Sequence, residues 1–156
     1  MSLPKITLAT SVRYGSYKTH CVNAFSLIDV VTDNYRDIEQ YITLPEDLSI
    51  NFRPVRNAYG KAFYTKSVLF PNTKEYIVEV DVRQDLDTFK HTLLHELVHI
   101  EQFYQGRLKD AGSTHFKWKG KKMLVDTSSM DAYNKLPWEV EANTRAELLM
   151  HIIFAK

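Results

Sequence analysis

Apolar side chains recur at helical spacing from about Tyr17 to Tyr41. Val22, Phe25, Leu27, Ile28, Val31, Tyr35, Ile38 and Tyr41 form a broad stripe that Leu44-Pro45-Glu46-Asp47 then breaks. This spacing predicts a long first helix. From Ser49 to Arg83 the pattern shortens to β-rich runs, Ile50–Phe52, Ala62–Thr65 and Tyr76–Val82, punctuated by Gly60 and Pro71-Asn72. A small, mostly antiparallel sheet is expected there. In its last strand Tyr76, Val78, Val80 and Val82 alternate with Ile77, Glu79 and Asp81, so one face should be buried.

Helical spacing returns with Phe89, Leu93, Leu94, Leu97, Val98, Ile100 and Phe103, with Asp85 or Asp87 as the N-cap and Gly106 as the stop. The segment from His115 to Leu124 reads as extended or as a hairpin. A final helix should begin near Pro137, a residue suited to a first turn, and run to Ile153. With no repeat or linker to divide 156 residues, the expectation is one α+β domain spanning 1–156.

Charge adds little to this picture. Lys and Arg number 20 against 19 Asp and Glu, so no global field draws the chain to nucleic acid or an anionic membrane, and any such binding must come from a local patch. Cys21 has no partner for an internal disulfide and is read as an inert thiol suited to a reducing compartment. No secretory h-region and no run of about 18 apolar residues is present, so the chain is expected to be cytoplasmic, in the host cytoplasm if phage-encoded, with no membrane partner.

The chemistry lies in His95-Glu96-Leu97-Val98-His99. Two histidines four residues apart on a helix share a face and can reach one zinc ion at about 2.0–2.1 Å. Glu96 then lies beside the metal, where it can act as general base toward a bound water of lowered pKa. His91, one turn earlier, continues the row, but three histidines in one helical row cannot all reach a single ion. It is read as a surface or supporting residue.

A catalytic zinc site generally uses three protein ligands and an open position. Three residues compete for the third place. Glu139 is preferred, because Ala142 and Ala146 share its helical face and allow close approach to the motif helix. Asn143, one turn on, is placed to hydrogen-bond a liganding histidine. His115 falls beside Lys117, Lys119 and Lys121 on the wetter side of a strand, and Glu141 reads as an exposed ion pair with Arg145.

The chain resembles the small Glu-zincin metallopeptidases. The likeness covers His95 to His99 with the following Gln102, and Glu139 to Met150, which looks like the second helix of ImmA/IrrE-type peptidases. The Trp-Lys-Gly and Pro-Trp-Glu-Val-Glu-Ala segments look like those of small HExxH proteins of phages and bacteria. The resemblance implies a zincin-like fold, in which a long helix and a small twisted sheet precede the HExxH helix and a C-terminal helix carrying the glutamate ligand. It also implies one Zn2+ held by His95, His99 and Glu139, with Glu96 as base and Asn143 in support. SprT-like proteases are a rival likeness through the spacing of His115, although Phe116 stands where they usually have glycine.

The function expected is zinc-dependent hydrolysis of a protein or peptide substrate, in a cleft along the last sheet strand where an extended chain could pair. Tyr133 and Tyr104 are candidates to stabilise an oxyanion, with ordinary packing the preferred reading. Lys117, Trp118, Lys119, Lys121 and Lys122 with Phe116 could form a nucleic-acid surface, but a half-buried hairpin accounts better for the alternation. A zinc-binding scaffold without turnover is the third reading, and oligomeric state is not legible.

Overall fold

The computed structural model describes residues 3–8, 24–70 and 72–155, so Cys21 and the first turns of the expected helix lie outside the described residues. Strand β1 (Lys5–Leu8) is followed by helix α1 (Ala24–Tyr41), β2 (Leu48–Phe52), β3 (Gly60–Lys66) and β4 (Lys74–Val80). Helix α2 (Leu86–Tyr104) carries the motif. Then come β5 (Leu108–Asp110), β6 (His115–Trp118), β7 (Lys121–Leu124), the short α3 (Met130–Asn134) and α4 (Pro137–Leu149), which ends in a π-helical turn at Met150–Phe154. The α+β class holds, and no helix among the described residues is long and apolar enough to cross a membrane.

The main sheet has the order β1-β2-β4-β3. It is not mostly antiparallel: β1 with β2 and β2 with β4 run parallel, and only β3 with β4 is antiparallel. The difference comes from Lys5–Leu8, too short to announce itself, which joins the sheet edge and makes α1 the crossover between two parallel strands. Independently of β1, pairing with β2 on one side and β3 on the other makes β4 an interior strand. The expected cleft along β4 is therefore excluded, and β3 is the edge strand on that side.

Alternation in β2 and β4 buries Leu48, Ile50, Phe52, Tyr76, Val78 and Val80 on one face, and the stripes of α1 and α2 join that face in a single core cluster. The opposite face is partly exposed. Asp85 is the α2 N-cap, accepting from Thr88 N at 2.8 Å, and the helix stops where Gly106 takes φ 74°, a left-handed conformation that costs glycine no Cβ clash. In the second, antiparallel sheet (β5-β6-β7), Phe116 and Trp118 lie 5.5 and 6.2 Å from the Trp138 ring at the start of α4. Their alternation with lysines thus serves packing.

Candidate metal centre

The metal-ligand groups meet where α2 and α4 press together. Ala142 and Ala146 are both fully buried, which lets the helices approach closely enough for Glu139 to stand opposite the histidines. Pro137 opens α4, so Glu139 falls in the first turn, where the helix dipole favours a carboxylate. His95 Nε2 and His99 Nε2 are 3.1 Å apart, His95 Nε2 is 3.2 Å from Glu139 Oε1, and His99 Nε2 is 2.7 Å from Glu139 Oε2.

Ligands bound tetrahedrally at about 2.0–2.1 Å lie roughly 3.3 Å from one another, so these atoms need shift by only tenths of an ångström to share an ion. His95, His99 and Glu139 thus form a cluster able to hold a metal ion. Among the described residues, neither His115 nor Glu141 belongs to it. The His115 ring hydrogen-bonds Thr114 on β6. Glu141 is drawn away by Arg107, at 2.7 and 2.8 Å, rather than paired with Arg145 as its spacing suggested. Arg145 reaches Glu101 on α2 and the Tyr41 carbonyl instead.

One supporting residue differs from expectation. Gln102, fully buried one turn after His99, accepts from His99 Nδ1 at 2.7 Å and donates to the Trp138 carbonyl at 3.0 Å and to Glu141 Oε1 at 3.2 Å. An amide oxygen only accepts, so the proton sits on Nδ1 and the Nε2 lone pair is left for a metal. Asn143 lines the cleft, and no hydrogen bond joins it to either histidine among the described residues. Its assignment failed because helical spacing fixes direction and not distance, whereas Gln102 sits on the histidine's own helix.

Protonation follows the same geometry. Burial opposes a charge on His99, but its hydrogen bond to Glu139 outweighs this and raises the imidazole to about 9. Burial likewise works against the Glu139 charge, and the two histidines overcome it, taking the carboxyl to about 2. Both shifts favour the charged forms facing each other, a cationic imidazole on His99 and an anionic carboxylate on Glu139. Glu96, also buried, is pushed up by desolvation; His99 and His95 pull it down and Glu139 adds to the rise.

An open cleft of about 1140 Å³ runs past these groups, lined by His91, His95, Glu96 and Glu139 on one side and by Tyr59, Gly60, Met130 and Tyr133 on the other. A Cβ on Gly60 would come within 2.8 Å of Thr92 Cγ2 and 2.9 Å of Glu96 Cγ, so the bare glycine is what allows the start of β3 to lie directly on Glu96. Gln84 pins that approach, donating to the Tyr59 carbonyl at 3.1 Å while accepting from Thr92 Oγ1 at 2.8 Å. His91 stacks on His95 at 6.4 Å between ring centres and stays outside the ligand cluster.

The tyrosines separate clearly. Tyr104 packs edge-on against Tyr76, far along α2. Tyr133, on α3, lines the cleft together with Glu139 and Glu96; burial and those two carboxylates hold its phenol protonated well above the ordinary range. Sequence alone favours plain packing for Tyr133, and its place beside Glu139 is invisible there because no periodic pattern marks the short helix that carries it. No family model, curated protein or solved structure matches the chain.

Proposed function

We propose that the chain is a zinc-dependent peptidase that hydrolyses a peptide bond in the cleft lined by the start of β3, the motif face of α2 and the short helix α3. The observation that carries this reading is the convergence of His95 Nε2 and His99 Nε2, 3.1 Å apart, on the Glu139 carboxylate, whose Oε1 is 3.2 Å from the first and whose Oε2 is 2.7 Å from the second, with Glu96 buried beside them. Two imidazoles and one carboxylate are a donor set that zinc would accept, and His95, Glu96 and Glu139 line the cleft, where a substrate could reach them. When bound there, zinc acidifies a water molecule and polarises a carbonyl oxygen.

The chain's own residues supply the rest. Gln102 holds His99 in the tautomer that ligates. Glu96 takes a proton from the attacking water and passes it to the leaving amine, a role suited to a carboxyl that burial has made more basic. Tyr133, protonated and on the cleft wall, is a donor for the oxygen that gains negative charge as the carbonyl is attacked. An extended substrate would pair with the free edge of β3, whose first residue touches Glu96.

The test uses a complex mixture of denatured-protein peptides incubated with zinc-loaded wild type and with zinc-loaded Glu96→Gln, new termini being identified by mass spectrometry. New termini with wild type that vanish with Glu96→Gln are expected. A wild-type pattern identical to that of the variant would leave a zinc-binding scaffold as the better reading.

A further inference from the structure

The end of the molecule remote from the metal centre carries a feature that peptide hydrolysis does not use. Between β3 and β4 the chain presents Val68, Leu69 and Phe70 in succession, 94%, 82% and 67% exposed. The loop is closed by its own bonds: Ser67 N donates to the Thr73 carbonyl at 3.1 Å, Thr73 N to the Phe70 carbonyl at 2.8 Å, and Phe70 N to Ser67 Oγ at 3.2 Å. These backbone donors need no water, so the tip can enter an apolar phase without stripping hydrogen bonds from them.

Directly beneath the tip, Lys66 and Lys74 are cross-strand partners. Like charges placed opposite one another cost stability; Lys74 Nζ sits 4.7 Å above the Tyr64 ring, and Asp110 acts on the same tyrosine. A third layer consists of Tyr64, Tyr76 and the half-exposed Tyr104, in ring contact at 5.9–6.1 Å. Apolar tip and cationic collar follow the order of acyl chains and anionic headgroups in a bilayer leaflet, with the tyrosines on the protein side of the lysines and Tyr76 buried in the core.

We infer that the β3–β4 hairpin tip, Val68, Leu69 and Phe70 above Lys66 and Lys74, docks this chain on an anionic lipid bilayer. A protein groove fits less well. Three side chains of this size offer on the order of 300 Å² of apolar surface, against roughly 800 Å² per partner in a stable protein interface. The residue types also differ, because protein hot spots favour Trp, Tyr and Arg, while Leu and Lys suit a surface that demands no complementary shape. Glu75, paired with Thr65, projects from the other face of the hairpin, and Asp47 lies two positions behind Lys74, where its carbonyl accepts from Tyr76 N. The lysine-bearing face must therefore tilt toward the lipid.

The chain is near neutral, and no helix among the described residues is long and apolar enough to cross a membrane; this tip is a local patch suited to binding one at its surface. It is independent of the metal reading, since Lys66 lies six residues, or about 20 Å, along β3 from Gly60. The test is co-sedimentation of the full chain with vesicles of phosphatidylcholine, with and without about one third phosphatidylserine. Wild type should bind the anionic vesicles roughly tenfold more tightly and in a salt-sensitive way. Leu69→Ser/Phe70→Ser should lose at least about tenfold on both compositions, and Lys66→Gln/Lys74→Gln should lose the anionic preference alone.

Circular dichroism and zinc uptake matching wild type show that each variant is folded. A Leu69→Trp variant gives a second readout, a blue-shifted emission on adding anionic vesicles. Absence of wild-type binding at low salt, binding untouched by Leu69→Ser/Phe70→Ser, or an emission that does not shift in the Leu69→Trp variant would overturn the inference. So would a concentration-dependent dimer that the serine variant abolishes without any vesicle binding.

Discussion

Replacing Gln102 with Leu removes a fully buried amide of similar size and leaves its partners in unequal positions. The Trp138 carbonyl keeps its place within α4, and Glu141 keeps both bonds to Arg107 at 2.7 and 2.8 Å. His99 Nδ1 alone loses its acceptor, at a site that is almost wholly buried. A buried donor left unpaired costs about 1–3 kcal/mol, which sets the expected fall in unfolding free energy of the metal-free protein. The imidazole is then also free to move its proton to Nε2, the atom that faces Glu139 and any ion. Loss of such a supporting bond weakens metal binding about 10- to 100-fold, or roughly 1.4–2.7 kcal/mol. Zinc affinity should be measured by competition with a chromophoric chelator, at a temperature where circular dichroism shows the variant folded. Zinc bound as tightly as by wild type, with only the unfolding midpoint lowered, would refute the claim that Gln102 sets the tautomer.

The same geometry sets four further outcomes. Because His99 is raised to about 9, zinc binding at neutral pH should displace about one proton, seen calorimetrically as an enthalpy that depends on the ionisation heat of the buffer; a buffer-independent enthalpy would contradict it. In the metal-free protein the His99 contribution is complete below the usual 6.5 and lost as pH rises through about 9. That of Glu139 is complete above the usual 4.5 and lost as pH falls toward 2, so denaturant titrations should show greatest support from this pair between those limits. Gly60→Ala should keep zinc but reduce peptide cleavage severalfold, since its Cβ would meet Glu96 Cγ at 2.9 Å; unaltered cleavage would show that β3 need not touch Glu96. Glu101→Ala takes one partner each from Arg145 and Arg107, which keep the Tyr41 carbonyl and Glu141, and leaves Thr43 N without its 2.6 Å bond; with both arginines still partnered and partly exposed, it should cost about 1–3 kcal/mol in denaturant unfolding with little change in zinc affinity.

Much of the α2–α4 framework was legible because helical spacing is a strong local signal. The four-residue separation of the histidines, the cap at Asp85, the stop at Gly106 and the small residues Ala142 and Ala146 all act within one or two turns. The sheet was harder to read. Strand β1 offers only Ile6 and Leu8 as alternating apolar residues after Pro4, and parallel pairing depends on contacts between segments more than forty positions apart, which periodicity does not encode. That strand adds one of the two parallel pairings, and the other, β2 with β4, leaves β4 interior and β3 at the edge, which moves the cleft by one strand. The Glu141–Arg145 pair failed for a related reason: the spacing was correct, but Arg107 from another element and the Glu101 carboxylate were better partners once the helices met. Tyr133 shows the limit on short elements, since five helical residues carry no periodicity to read.

His95, His99 and Glu139 should together hold one zinc ion, with Glu96 outside the ligand set. Zinc per chain, measured by elemental analysis after exhaustive dialysis without chelator, tests it most directly on wild type, Glu96→Gln and Glu139→Ala. The account predicts about one zinc in wild type and in Glu96→Gln, and loss or marked weakening in Glu139→Ala. Wild type that takes up no zinc, or Glu139→Ala that retains it as firmly as wild type, would contradict it.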